Sequence, residues 1–181
     1  MNLTRLFAAP ENRLDLIAGL IDGILTALAF AAGRLIEGSG ASLDLAFRVA
    51  IATGLANAFV FFFAHYAELR TDLIGYERQL NFASHGKLAA SHLGRKAFLQ
   101  SLGSAATAAV WTVVGAMIAL ITCIWVPEPR WGGPLIDIAL LGLLGVLLAR
   151  SLHGSTWMWA ASLMAGGVVL TAAGVELHVA G

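Results

Sequence analysis

Charge is scarce in this chain. Asp, Glu, Lys and Arg make up 12% of its 181 residues, whereas 59% are hydrophobic. A soluble domain carries about 25% charged residues, so the composition excludes an ordinary soluble fold and indicates an integral membrane protein. Net charge is missing as well: eleven basic and eleven acidic residues cancel, which leaves no basic excess for nucleic acid. Cysteine is almost absent. The single Cys123 lies in an apolar run, cannot form an intrachain disulfide, and reads as a small core residue. No P-loop, GxSxG, CxxC or HExxH motif occurs, and no nucleophile–base pair stands out, so the chain does not read as an enzyme.

What the chain does have is long apolar runs. A membrane-spanning helix needs about 20 such residues, and five stretches qualify, at about 14–36, 43–66, 98–126, 135–152 and 156–178. The expected fold class is therefore all-α, a polytopic membrane protein with a single transmembrane domain over residues 1–181. "EGSGAS", "PEPRWGGP" and "HGS" separate the runs as turn-forming stretches. The opening "MNLTRLFAAPENR" lacks a sustained apolar core and a small-residue cleavage site, so the first run is expected to act as its own insertion signal and be retained.

Lys and Arg orient the spans. Arg5, Arg13, Arg70, Arg78, Lys87, Arg95, Lys96 and Arg150 fall on one side, against Arg34, Arg48 and Arg130 on the other. The positive-inside bias then predicts a cytoplasmic N-terminus and a C-terminus outside. Trp125 and Trp131 flank one end of the third span, and Trp157 and Trp159 the start of the fifth, as interfacial aromatics do. Between spans two and three, residues 70–96 continue the second helix as "RTDLIGYERQL" and suggest an amphipathic cytoplasmic segment on or near the membrane, with Leu73, Tyr76, Leu80, Leu88, Leu93 and Phe98 on its apolar side. The Arg-over-Lys and Ala/Gly/Leu bias points to a GC-rich bacterial source, hence a plasma (inner) membrane.

Two polar stripes interrupt the apolar runs. At about 100° per residue, Asp15, Gly19, Asp22, Thr26 and Gly33 share one face of the first span. A carboxylate inside a membrane is costly and marks a functional site by default; Asp15 lies near the cytoplasmic end and Asp22 two turns deeper. "GLIDG" is also a GxxxG, which allows close helix approach. The second span carries Thr53, Asn57, His65, Glu68 and Asp72 along one side. Oxygen and imidazole ligands of this kind suit divalent transition metals, and protonatable ones can exchange metal for protons. His65, Glu68 and Asp72 can equally be ordinary interfacial polar residues. His85 and His92, seven residues apart, are a further candidate metal pair, although surface histidines without function are commoner. Asp137 and Glu176, at the ends of spans four and five, are expected to be solvated.

These residues carry a resemblance. "DLIAGLIDGILTALAFAAG" resembles the first helix of the vacuolar iron transporter family, in which an aspartate is followed after six residues by Asp-Gly and an Ala-rich run closing on Ala-Ala-Gly. Asp15, Asp22, Gly23, Thr26 and the "AAG" at 31–33 fall in place. "HYAELRTDLIGYERQL" is similar to the family's next motif through Tyr66, Arg70, Thr71, Asp72, Tyr76, Arg78 and Leu80, and "GSTW" at 154–157, with Gly166 and Gly174 beyond it, is similar to its last helix. The resemblance implies a homodimer with the pathway between subunits, lined by helices 1 and 2. It also implies proton-coupled export of Fe2+ or Mn2+ as transported substrate, with H+ as counter-ion, no tightly bound cofactor, and the lipid bilayer as the other partner. Asp22 would be the central metal site and Asp15 a second pathway carboxylate.

The chain departs from the family pattern on helix 2, where Thr53 or Asn57 and Phe61 stand in place of a glutamate and a methionine. It also lacks a Glu-rich cytoplasmic domain, which makes it similar to the short branch of the family. Two readings follow. In the first, a transporter of divalent metal uses Asp15, Asp22, Thr26, Asn57, His65 and Glu68 as its pathway. In the second, a non-transporting membrane scaffold or partner-binding protein keeps the fold, with a hydrophobic plug at Phe59, Phe61, Phe62 and Phe63.

Overall fold

A computed structural model describes residues 10–37, 42–79, 91–126, 131–152 and 154–176. Five helices account for nearly all of them: α1 Pro10–Glu37, α2 Leu43–Gln79, α3 His92–Trp125, α4 Gly132–Leu152 and α5 Thr156–Glu176. Every one is long and apolar enough to cross a membrane, which fits a multi-pass membrane protein.

The starts of the helices follow from local chemistry. Ser42 caps α2 by accepting from the Leu45 amide at 3.3 Å, and Ser91 caps α3 by accepting from the Leu93 amide at 3.1 Å, each satisfying a donor that helix geometry leaves free. α4 begins three residues before the sequence-based boundary of 135. Pro134 sits in its first turn, where proline removes no helical hydrogen bond. α2 continues through residues 70–79 as one rod, as the sequence leads one to expect. At 1.5 Å per residue the rod is about 55 Å long, well beyond a hydrocarbon core of about 30 Å. Residues 80–90, with Leu80, His85, Lys87 and Leu88, lie outside the described residues.

Contacts between helices alternate in sense. α1 runs parallel to α3, since Gly19 abuts Ala108 and Gly23 abuts Thr112 and Ala116. α2 is antiparallel to α3, with Asn57 on Thr112 and Phe62 on Phe98. α4 and α5 form an antiparallel hairpin in which Gly142 meets Met164 and Gly145 meets Ala160.

The central element is α3. α1 and α2 both pack mainly on it and touch one another only slightly. Its buried face is Ala97, Ser101, Ser104, Ala105, Ala108, Thr112, Gly115, Ala116, Ala119 and Leu120, a stripe of small residues at three- and four-residue steps. Between membrane helices the hydrophobic effect supplies no drive, so close packing of small residues does the work. The largest buried side chains, Leu28, Leu120 and Leu141, meet where α1, α3 and α4 converge, with α5 closing over Leu28 and Leu141 through Gly167.

Candidate functional site

The polar residues within the bundle are arranged around α3. Asp15 of α1 is half-buried and accepts from Ser104 Oγ at 2.5 Å. Asn57 of α2 is buried and donates through Nδ2 to Thr112 Oγ1, also at 2.5 Å. Thr122 Oγ1 lies 2.7 Å from Asp137 Oδ1 of α4. One α3 hydroxyl thus meets one polar side chain of each of three neighbouring helices.

Within the chain each polar stripe is engaged by α3, because α1 and α2 pack on adjoining faces of it and touch one another only slightly. The α1 stripe also divides lengthwise. Gly19 and Gly23 are buried against the α3 backbone, Asp22 is half-buried, and Thr26 is exposed. A helical wheel shows which residues share a face but not where the neighbouring helix crosses it. Here the α1–α3 seam runs along one edge of the stripe and leaves Asp22 and Thr26 on the other.

Asp22 differs from the other carboxylates of the spans. It lies near the middle of the apolar stretch Leu14–Gly33 and has no hydrogen-bond or ion-pair partner among the described residues. Gly23, its neighbour, abuts Thr112, so Asp22 is level with the Asn57–Thr112 bond. The glycines fix this depth. A Cβ at Gly19 would stand 2.5 Å from the Ala108 carbonyl oxygen, and one at Gly115 would stand 2.5 Å from that of Leu20. Neither contact is possible without moving backbone.

Among the described residues His65 and Glu68 pair with each other, at 3.8 Å one turn apart on α2, with the Glu68 side chain 72% exposed. A pair this open to its surroundings contributes little. His92 is exposed at the start of α3, and its proposed companion His85 lies outside the described residues. No group of three or more His, Cys, Asp or Glu side chains able to hold a metal occurs among the described residues. Within one protomer, then, Asp22 offers a carboxylate to a cation but no complete ligand set.

A further expectation is corrected. Asp137 is fully buried, not solvated: α4 starts early enough to place it a full turn inside the helix, facing Thr122 and Cys123 of α3. Phe59 and Phe63 do not pack into the bundle, with 66% and 61% exposure. Instead Phe62 stacks on Tyr66 with centroids 5.9 Å apart, and both meet Phe98 edge-on, which pins α2 to the first turns of α3.

Ser104 and Thr112 carried no individual signal in the sequence. A hydroxyl in a membrane helix commonly bonds its own backbone, as Ser101, Thr107 and Thr171 do here. The usable signal was collective: the small-residue spacing of Ser101, Ser104, Ala108, Thr112, Gly115 and Ala119 marks a buried seam.

The Asn57–Thr112 bond makes a measurable prediction. Asn57→Leu and Thr112→Val should each lower thermal stability in detergent by about 1 kcal/mol, within the range of about 0.6–1.7 kcal/mol for hydrogen bonds between membrane helices. The double variant should lose little more than either single one, because both remove the same bond.

Compared with known proteins, the chain finds no counterpart: no family model matches it, nor does any curated protein or solved structure.

Proposed function

We propose that this protein is a secondary transporter that moves a divalent transition metal, Fe2+ or Mn2+, out of the cytoplasm in exchange for protons, with Asp22 as its central metal- and proton-binding carboxylate. The observation that carries the reading is the state of Asp22: a carboxyl group at mid-span, half-buried and without a partner among the described residues. A carboxylate kept in a membrane span without a structural partner is explained most economically by something that visits it. Thr26, exposed on the same side of α1 one turn on, supplies a neutral oxygen along the path.

The ligand set would be completed by a second copy of the chain, related by a twofold axis along α1 and α2. α2 leaves Leu43, Phe47, Ile51, Leu55, Phe59 and Phe63 exposed at four-residue steps, a continuous apolar face suited to another protomer or to lipid. Asp15, His65 and Glu68 belong to the end of the bundle that carries Arg70, Arg95, Lys96 and Arg150, which the positive-inside bias assigns to the cytoplasm of a bacterial plasma membrane. They would form the mouth of the pathway. Asn57, bonded to Thr112, would hold its wall rather than the ion.

Uptake by proteoliposomes under a pH gradient tests the reading. Fe2+ or Mn2+ flux should require the gradient and dissipate it, and a gradient-independent or absent flux would remove the proposal.

A second reading has its own observation. Asp15 and Asn57 are both engaged by α3 hydroxyls, as expected of polar groups that serve as interhelical fasteners in a non-transporting scaffold. The two readings part on metal binding. A cation that binds only the folded protein must stabilise it, by about 2.7 kcal/mol at a hundred times Kd. The transport reading expects Mn2+ to raise the melting temperature of the parent but not of Asp22→Asn, and the scaffold reading expects no shift in either.

A further inference from the structure

At the opposite end of the bundle from Arg70, Arg95, Lys96 and Arg150, the transport reading leaves one fully buried carboxyl group unused. Asp137 is completely buried between α3 and α4. Its Oδ1 lies 2.7 Å from Thr122 Oγ1, and its Oδ2 lies 3.7 Å from Cys123 Sγ. Thr122 Oγ1 is at the same time 2.7 Å from the backbone carbonyl oxygen of Ala119.

Counting hydrogens decides what this arrangement means. Thr122 Oγ1 has one hydrogen, and the Ala119 carbonyl has none. One hydrogen shared between two acceptors gives longer, weaker contacts, so two oxygen–oxygen contacts as short as 2.7 Å call for two hydrogens. An ionised Asp137 brings none, and one contact would then be empty. The hydroxyl hydrogen goes to Ala119, the bond that threonine habitually makes to its own helix backbone. The second hydrogen must come from the carboxyl group. Oδ2 is then the carbonyl-type oxygen, free to accept the weak Sγ–H donor of Cys123.

We propose that Asp137 is a proton-binding site: a neutral carboxylic acid, held between α3 and α4, that donates from Oδ1 to Thr122 Oγ1. Its surroundings agree. From α3 it meets Thr122 and Cys123, and no Lys, Arg or His forms an ion pair with it among the described residues. The described α1 side chains include only Asp15 and Asp22 as titratable groups. Asp15 is held by Ser104, and Asp22 is level with Thr112, ten residues and about 15 Å along α3 from Thr122. α5 contributes Glu176, on the rim of an apolar groove shared with Trp131 and Pro134. An anion without a counter-ion in such a setting is the costly state, and the protonated acid avoids it. The site does not depend on the transport reading.

Infrared spectroscopy of the full chain in phosphatidylcholine vesicles at neutral pH tests the proposal, parent against Asp137→Asn. The variant should lose the carbonyl-stretch intensity of one protonated carboxyl group, a band that shifts in heavy water, while the ionised-carboxylate bands stay unchanged. Loss of one group's carboxylate intensity with the protonated region intact overturns it. Asparagine keeps a donor toward Thr122, so this variant should fold. Should it not, Thr122→Val gives an independent reading. By removing the acceptor it moves the protonated-acid band to higher frequency, whereas an ionised Asp137 leaves that region as it was.

Discussion

Gly23→Ala is expected to destabilise the protein by at least about 1–3 kcal/mol, the usual range for forcing extra atoms into a packed core, whereas Gly103→Ala should leave stability unchanged or raise it. The two glycines sit in neighbouring helices of similar composition, so propensity does not separate them; space does. A methyl group at Gly23 would overlap the Thr112 carbonyl oxygen and stand 2.8 Å from the Ala116 amide nitrogen. Both obstacles are backbone, so no rotamer change relieves them. The only remedy is to pull α1 away from α3, which breaks a backbone-to-backbone packing. Nothing lies within 4 Å of the corresponding position at Gly103, and there alanine gains the helix propensity that glycine lacks, up to about 1 kcal/mol. Thermal unfolding in detergent, followed by size-exclusion chromatography, measures both. Equal melting temperatures for the two variants would mean that α1 and α3 are not packed glycine to backbone as described.

Asp22→Ala should reduce metal flux in proteoliposomes by roughly 10- to 100-fold, the equivalent of one interaction with a charged group at about 1.5–3 kcal/mol. Its folding should survive, since the carboxyl group is half-buried and bonds nothing in the described structure. Asp15→Asn is the informative companion. Asparagine keeps an oxygen to accept from Ser104, so the α1–α3 contact persists while the charge is gone. Flux that survives Asp15→Asn but not Asp22→Ala would place the binding event at mid-span, with Asp15 as a fastener. Equal loss in both would make the two acids successive stations of one path. Asp72→Asn, an exposed position on α2, should change neither flux nor stability. Parent-level flux in Asp22→Ala would end the case for this residue.

The helices were legible because a bilayer imposes a length, and runs such as Leu14–Gly33 satisfy it without help from tertiary context. The start of α4 was misplaced because Pro134 was taken as a stop, although a proline costs a helix nothing in its first turn. That small shift explains a larger miss: three residues beyond Pro134, Asp137 looked like a solvated helix end and is instead fully buried. Asp22 stood out from the sequence because its cost inside lipid does not depend on what surrounds it. The partners of Asp15 and Asn57 did not stand out, because pairing is a property of helix crossing, and Ser104 and Thr112 look like any other small residues of α3. The packing of the two stripes was silent for the same reason: periodicity orients residues within a helix and does not say which helix each face meets.

The position of α3 also has a consequence for how the chain is made. α1 and α2 leave the ribosome first, each with a polar group, Asp15 or Asn57, whose partner lies on the helix made third. Until residues 104–112 have entered the bilayer, both groups face lipid or each other's helix without a proper acceptor or donor. The two-helix nascent chain is therefore the state most exposed to membrane quality control, and arrival of α3 converts it at one step into a closed three-helix unit. α5 then closes over the core with its glycines, Gly167 against Leu141 and Ile138 and Gly174 against the Ala29 carbonyl. The order of synthesis thus matches the order of commitment, with the polar locks on α3 set before α5 arrives.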